Sequence, residues 1–209
     1  MTEGLDAGHI RRILAATQMP ADPLDVDFTH LGDRMPEAVV AGMRHKLRPA
    51  GVLVPIIERG RDLSVLLTER SAGLTHHAGQ VSFPGGGMEP DDSHIMATAL
   101  RETREEVGIC PSQVDVAGYL EPTATITGFA VTSVIGFVDP ACEPVPDPKE
   151  VEKIFEVPLN FLMDASNARY SERLVGGERI RVVSFDYSGH RIWGATAGII
   201  LSLRRVLLK

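Results

Sequence analysis

The stretch that decides both fold and chemistry is residues 101–108, which read Arg-Glu-Thr-Arg-Glu-Glu-Val-Gly. On a helix that advances about 100° per residue, Glu102, Glu105 and Glu106 lie on one side, because positions three and four apart are neighbours. Like charges at this spacing repel each other, so helix stability alone does not favour the arrangement. A divalent cation bound between the carboxylates would remove the repulsion.

The flanking sequence fits a helix that is built into a folded site. Residues 83–87, Phe-Pro-Gly-Gly-Gly, precede it as a loop, residues 91–93 offer N-cap side chains, and Gly108 suits a left-handed helix end. An apolar face opposite the carboxylates comprises Ile95, Met96, Ala99, Leu100, Thr103 and Val107. Oxygen-only ligands suit Mg²⁺ or Mn²⁺ shared with a phosphorylated substrate, whereas an isolated pattern of this kind favours a solvated helix face.

The pattern resembles the Nudix box, G-x5-E-x7-R-E-U-x-E-E-x-G-U, in which U is an aliphatic residue. Its second half matches at Arg101, Glu102, Glu105, Glu106, Gly108 and Ile109, with Thr103 in place of the first U. Its first half is offset, because a strict count back from Arg101 places Ser93 at the first acidic position. The preferred alignment starts at Gly86, places Asp92 there and includes one extra residue before Arg101.

A longer stretch resembles the coenzyme A pyrophosphatases within that superfamily. Residues 66–86 read Leu-Leu-Thr-Glu-Arg-Ser-Ala-Gly-Leu-Thr-His-His-Ala-Gly-Gln-Val-Ser-Phe-Pro-Gly-Gly, similar to the pattern L-L-T-x-R-S-x-x-L-x-x-H-x-G-x-V-x-F-P-G-G. Thr75 stands where members of the group often carry a basic residue. The likeness runs from residue 50 to residue 208 and does not include the first fifty residues.

The resemblance implies hydrolysis of the pyrophosphate bond of coenzyme A or its derivatives to 3',5'-ADP and (acyl-)4'-phosphopantetheine, with Mg²⁺ or Mn²⁺ as cofactor. Glu102 and Glu106 are the expected metal ligands, and Glu105 is either a third ligand or the base that deprotonates water. Glu150 is a second candidate base, since it matches the group's E-V-x-x-(V/I)-F-E-(V/M)-P-L stretch. Arg101 is expected to support the carboxylates through charge-assisted hydrogen bonds.

Four residues are expected at the substrate, namely Arg70, His77, Gly85 and Gly86. Arg70 is a planar donor that suits phosphate, although a surface charge at a strand end is an equal alternative without the motif. His77 matches the motif and is expected to donate a hydrogen bond to the substrate or the loop. A zinc site at His76 and His77 is not expected, because adjacent residues of an extended chain point to opposite sides.

Two other functions remain open. A Nudix pyrophosphatase for another nucleoside diphosphate derivative, such as ADP-ribose, is compatible with Thr75 and with the offset before Arg101. A metabolite-binding module without catalysis is less favoured, because Glu102, Glu105 and Glu106 are all present.

Composition favours an enzyme that acts on a small molecule. The 209 residues are 44% hydrophobic and carry a formal net charge of -7, which argues against binding to nucleic acid or an anionic membrane. Cys110 and Cys142 lack the spacing of a redox motif and are expected to be free thiols in a reducing cytoplasm. No signal peptide or membrane-length apolar run is expected, and a homodimer is the preferred oligomeric state.

The pattern along the chain predicts a mixed α/β domain. Residues 1–49 are expected to form an N-terminal helical extension, with helices near 5–14 and 36–47, and residues 50–209 the Nudix hydrolase domain. Predicted strands cover 52–57, 63–67, 80–83, 114–120, 130–138 and 180–187, and further helices are expected over 157–163 and from Thr196 onward. Together with the resemblance, this implies a Nudix-type α/β/α sandwich with a mixed β-sheet.

Overall fold

A seven-stranded mixed sheet forms the centre of the computed structural model, which describes residues 5–28, 36–44, 47–72, 79–175 and 177–208. Its strands are β1 (Arg48–Arg59), β2 (Asp62–Arg70), β3 (Val81–Ser82), β4 (Gly85–Gly87), β5 (Val114–Ala124), β6 (Phe129–Val138) and β7 (Val151–Pro158). The order is β3-β2-β1-β6-β5, while β4 also pairs with β1 and β7 with β2. β1 and β6 are parallel and β1 and β2 antiparallel, so the predicted mixed sheet is confirmed.

The first two strands form the hairpin that the sequence predicts. Its turn contains Gly60, whose φ of 69° is a left-handed conformation that glycine adopts without strain. The middle of each strand is buried on both faces, because helices cover both sides of the sheet.

Helices form the two outer layers of the predicted α/β/α sandwich. They are α1 (Ala7–Leu14), α2 (Glu37–Met43), α3 (Ile95–Val107), α4 (Leu159–Met163) and α5 (Gly194–Leu207). α3 lies on one face, where Ala99 packs against Leu53 and Val134. α1, α4 and α5 contribute to the largest apolar cluster, which also contains Val54 and Ile135 and so lies on the opposite face.

A second, smaller sheet stands beside the first. It comprises β8 (Arg169–Val175), β9 (Glu178–Tyr187) and β10 (His190–Trp193), in the order β10-β9-β8. The sequence predicts only β9, because β9 is largely buried and β8 is exposed along nearly its whole length. An exposed strand carries no alternation of apolar and polar residues from which it can be recognised.

The residues before β1 pack onto the sheet in two places. Ile10 and Leu14 of α1 are fully buried in the main core, and the Tyr119 N–H donates to Thr17 Oγ1 at 2.8 Å. α2 buries Val40 and Met43. No helix in the described part of the chain has the length and apolar character needed to cross a membrane.

Three of the predicted elements are corrected. Val157 and Pro158 end strand β7 rather than begin a helix, since the backbone first turns helical at Leu159. The C-terminal helix begins at Gly194, and the Thr196 hydroxyl donates to the Val81 carbonyl instead of capping it. The helix predicted over 36–47 spans only Glu37–Met43, and residues 45–46 lie outside the described part.

Candidate metal centre

The helix α3 carries the acidic pattern and begins later than the sequence suggests. His94 is its N-cap, and His94 Nδ1 accepts a hydrogen bond from the Ala97 N–H at 3.1 Å, so none of residues 91–93 fills that position. Gly108 ends the helix with φ of 71°, as predicted. The three carboxylates thus lie in the C-terminal half of α3, where the helix dipole is negative and favours a nearby cation.

Arg101 is the centre of a hydrogen-bond network on this surface. Its Nε and Nη2 donate to the two oxygens of Asp92 at 3.0 and 2.9 Å, in a bidentate pair. Its Nη1 donates to Glu102 at 2.8 Å and to Glu105 at 3.0 Å, and Nη2 also reaches the Gly87 carbonyl at 3.2 Å. One guanidinium therefore holds the loop before α3 and two of its carboxylates in a single arrangement.

Asp92 is tied into that network as an ion-pair partner. The hydrogen bonds from Arg101 lower the pKa of its carboxyl to about 2, with further help from the Glu89 N–H and the Thr98 hydroxyl. Asp92 is also the residue that the preferred alignment places at the first acidic position of the pattern.

Glu102 lies against a glycine that leaves it room. A Cβ atom added at Gly86 would lie 2.5–2.7 Å from the carboxylate of Glu102, closer than real contacts allow. Burial raises the pKa of Glu102, the pairing with Arg101 opposes this, and the charges of Glu105 and Glu150 add to the rise. A residue larger than glycine at position 86 would displace this carboxylate.

Glu106 is a buried carboxylate with weak pairing. Only 2% of it is exposed, and burial raises its pKa to about 8 although Arg70 and the Gly85 N–H act in the opposite direction. Gly85 N donates to Oε2 at 3.2 Å, whereas Arg70 Nη1 lies 3.5 Å from Oε1, too far for a strong hydrogen bond. The charged form of this buried carboxylate is thus only weakly compensated within the protein.

Glu150 reaches the same surface from a loop. Its charge raises the pKa of both Glu102 and Glu106, which places it near them. The loop before it docks on the end of α3, where the N–H groups of Val145 and Asp147 donate to the carbonyls of Val107 and Glu106, each at 2.9 Å. The loop is thus held on the helix that carries the other carboxylates.

The structure brings most of the expected site residues together. On this surface lie Arg70, Gly85, Gly86, Arg101, Glu102, Glu105, Glu106 and Glu150. Arg70 is a quarter exposed, and its Nε is buried without a hydrogen-bond partner among the described residues. His77, His76 and Thr75 lie outside the described residues.

The donor set is suited to a hard divalent cation. Within the described ranges, no group of three or more ligating side chains is already converged on one point. Arg101 instead donates to Glu102 and Glu105, while Glu106 accepts from the Gly85 N–H. The residues nonetheless fit the ion, because a buried, poorly paired Glu106 beside Glu102 offers oxygen ligands and needs positive charge.

Much of the chain is similar to known proteins. A family model described as the NUDIX domain matches residues 47–174. A protein of Photorhabdus laumondii, named an uncharacterized Nudix hydrolase NudL, is 46% identical over 156 residues, covering 75% of this chain and 83% of that protein. The chain belongs to the Nudix hydrolase family.

Another curated relative and a solved structure are also similar to this Nudix hydrolase. A NudL protein of Citrobacter koseri is 42% identical over 75% of this chain and 81% of its own length. A crystal structure of a Nudix hydrolase from M. smegmatis, RenU, aligns with 24% identity and a TM-score of 0.46 over 55% of this chain and 72% of that one. Family membership supports pyrophosphatase chemistry that uses a divalent cation.

Asp147 supports the position of Glu150, and the sequence analysis does not identify it. Its carboxylate accepts from the Lys149 N–H at 3.0 Å and its carbonyl from the Glu150 N–H at 3.0 Å, so it forms the turn that carries Glu150. The sequence Pro146-Asp147-Pro148 is a turn signal. The contact between this turn and α3 joins distant parts of the chain, so that signal alone could not reveal it.

Proposed function

We propose that this Nudix hydrolase cleaves the pyrophosphate bond of coenzyme A or an acyl derivative, releasing 3',5'-ADP and (acyl-)4'-phosphopantetheine. The supporting observation concerns residues 66–86, the stretch similar to coenzyme A pyrophosphatases. This stretch contacts the carboxylate of Glu106, which lies on the acidic helix. Arg70 from its start and Gly85 from its end lie 3.5 and 3.2 Å from the oxygens of Glu106. A pyrophosphate bound at these carboxylates would therefore meet that stretch directly.

The residues divide into ligands and substrate contacts. Glu102 and Glu106 would hold Mg²⁺ or Mn²⁺, with Glu105 as a third ligand, and the bound ion would neutralise charge on the pyrophosphate oxygens. Arg70 donates to a phosphate oxygen, since its guanidinium reaches this surface and, among the described residues, its Nε has no hydrogen-bond partner and its Nη1 makes only the long contact with Glu106. Gly85 and Gly86 keep the backbone close to the substrate, as no side chain stands between.

Glu150 is the preferred base for the attacking water. It takes the proton as the water oxygen bonds to phosphorus, and the bridging P–O bond breaks to leave two phosphate monoesters. Glu105 is the alternative base, but its Oε2 already accepts a hydrogen bond from Arg101 and more than half of its side chain is exposed.

Mass-resolved product analysis tests the activity. Purified protein is incubated with coenzyme A and, in parallel, with ADP-ribose, each with Mg²⁺ or Mn²⁺, and with EDTA or the Glu106→Gln variant as controls. The proposal expects 3',5'-ADP and 4'-phosphopantetheine, abolished by both controls. Cleavage of ADP-ribose alone would assign the protein to another nucleoside diphosphate derivative, and binding without turnover of either would indicate a metabolite-binding module.

Gln substitutions separate ligand from base. Glu102→Gln is expected to be partly rescued by excess metal, because weaker coordination can be offset by concentration, whereas Glu150→Gln is not. If Glu105→Gln alone resists rescue, then Glu105 is the base. If none of these carboxylates affects turnover, the site is misplaced.

Two organisational predictions complete the proposal. Residues 1–49 form an N-terminal helical extension on a Nudix domain of residues 50–209, and the protein is a homodimer. Sedimentation at micromolar concentration tests the second prediction, which a clean monomer would contradict.

A further inference from the structure

A groove of about 700 Å³ lies where α2 meets the turn between β5 and β6. Its lining includes Val39, Gly42, Met43, Leu47, Ile126 and Gly128. The volume falls within the range of small-molecule sites, and most of the lining side chains are apolar. Ile126 remains 46% exposed at its edge, so an apolar side chain there is accessible to a ligand.

Both walls of this groove are fixed by contacts elsewhere. On one side, α2 is anchored because Val40 and Met43 belong to a buried cluster with Ala124 and Ala130. On the other side, Thr125 holds the turn, since its N–H donates to the Phe129 carbonyl at 2.8 Å and its hydroxyl accepts from the Phe129 N–H at 3.0 Å. The groove is therefore formed before any ligand arrives.

The groove is within reach of the carboxylates. Arg48 at its base donates its N–H to the Gly128 carbonyl at 3.0 Å. Three residues further along β1, Gly51 pairs with Gly86, the glycine against which Glu102 packs. Three residues of strand span about 10 Å, and neighbouring strands are about 5 Å apart. The groove and the carboxylates are therefore separated by little more than about 10 Å.

We infer that the groove binds the pantetheine arm of the substrate and the first carbons of an acyl chain attached to it. This inference rests on the proposed function, and it makes acyl-coenzyme A the preferred substrate class. The arm is the uncharged part of coenzyme A, and with about twelve bonds between phosphate and sulfur it extends about 15 Å at ordinary bond geometry. It can thus run from the carboxylates to an apolar groove at that distance.

The opposite end of coenzyme A fits this groove less well. That end carries a 3'-phosphate, which would require an available cation. Arg48 is stacked over the Phe129 ring at 4.4 Å, and Arg44, which follows α2, over the Phe28 ring at 4.7 Å. Stacking leaves the N–H edge of Arg48 free to donate, but Arg48 is the single charged residue among the described residues that line the groove, so the lining favours the uncharged arm.

Gly42 allows the groove to be filled without disturbing the fold. A Cβ atom added there meets nothing within 4 Å, and the residue lies in α2, where a side chain is compatible with the backbone. Gly42→Phe therefore occupies the groove, and Gly42→Ala is the matched control that adds helix propensity without filling it. Thermal unfolding of both variants verifies that they are folded.

The test measures kcat/KM for coenzyme A and its acetyl, hexanoyl and decanoyl thioesters with Mg²⁺. In the unmodified protein and in Gly42→Ala, kcat/KM is expected to rise about three- to fourfold for each methylene that is buried, until the groove is filled. In Gly42→Phe the dependence on chain length is expected to disappear.

The possible outcomes test the role of the groove separately from the proposed hydrolysis of coenzyme A. A flat chain-length dependence in the unmodified protein, or an undiminished one in Gly42→Phe, would overturn the groove while leaving coenzyme A hydrolysis in place. Loss of ADP-ribose cleavage in parallel with coenzyme A cleavage in Gly42→Phe would also overturn it, by assigning the groove to the adenosine end. Absence of hydrolysis of every coenzyme A substrate would overturn the proposed function itself, and the inference with it.

Discussion

The two ends of the carboxylate surface on α3 differ in how completely their charges are paired. At one end, Arg101 donates to Asp92 and Glu102 at 2.8–3.0 Å. At the other end, Glu106 is 2% exposed, and Arg70 stays 3.5 Å away. The charges at the first end are paired by close hydrogen bonds, whereas the second end contains a buried carboxylate whose ion pair with Arg70 is long.

This difference separates the support from the reactive part of the site. A buried, weakly paired carboxylate costs stability in its charged form unless a cation joins it, so Glu106 is the position where an ion has most to contribute. The paired end holds the neighbouring carboxylate in place for that ion and changes little when it binds.

The largest expected effect is at Glu106. Replacing it with Gln removes a charged metal ligand and should lower kcat/KM for coenzyme A about a thousandfold, equivalent to several kcal/mol of transition-state stabilisation. Steady-state kinetics with saturating Mg²⁺ measure this. An activity within a few fold of the unmodified protein would show that Glu106 is not a ligand.

A smaller loss is expected when Glu102 is displaced through its neighbour. A Cβ at position 86 would clash with the Glu102 carboxylate, which is the flexible end of its side chain, so Gly86→Ala should shift the ligand while the fold tolerates it. A displacement of about 1 Å corresponds to roughly a hundredfold loss of kcat. Gly87→Ala is the matched control, because its Cβ would meet only the Phe129 ring at 3.9 Å.

A substitution at the paired end should lower both the activity and the stability of the protein. Asp92→Asn weakens both charge-assisted bonds to Arg101, so kcat/KM is expected to fall about tenfold and the free energy of unfolding by about 1–3 kcal/mol. Urea denaturation and kinetics on the same preparation measure the two quantities. A large loss of activity with no loss of stability would contradict a supporting role.

The two ends should also respond to pH in opposite directions. Asp92 has its folded pKa lowered to about 2, so the stability it contributes is present above its unfolded pKa and is lost as pH falls toward 2. Glu106 has its folded pKa raised to about 8, so the metal-free protein loses stability as pH rises from its unfolded pKa toward 8. Asp92→Asn should flatten the acid side of the profile and Glu106→Gln the alkaline side.

Sequence patterns were sufficient to predict the local features of the helix that carries the carboxylates. The spacing of Glu102, Glu105 and Glu106 placed them on one helix side, and Gly108 marked the helix end. The offset before Arg101 left Asp92 and Ser93 as alternatives, and Asp92 is the one whose carboxylate forms a bidentate pair with Arg101. The contact depends on how residues 88–94 fold back on α3, which spacing alone does not determine.

Sequence patterns could not predict features that depend on contacts between distant parts of the chain. The burial of Glu106 arises from the approach of β2 and β4 to α3, and a glutamate in an acidic run is ordinarily read as exposed. The edge strand β8 lacked apolar alternation, and the groove beside α2 is formed by elements more than eighty residues apart. Such contacts follow from the assembled sheet.

The most direct test of the central claim, that Glu106 is completed by a divalent cation, is thermal unfolding at pH 8 in EDTA and in saturating Mg²⁺. For the unmodified protein, Mg²⁺ at about a hundred times its Kd should stabilise by about 2.7 kcal/mol and raise Tm by roughly 5–10 °C. Glu106→Gln should be more stable than the unmodified protein in EDTA and gain much less from Mg²⁺. An equal rise in both proteins, or none in the unmodified one, would contradict the claim.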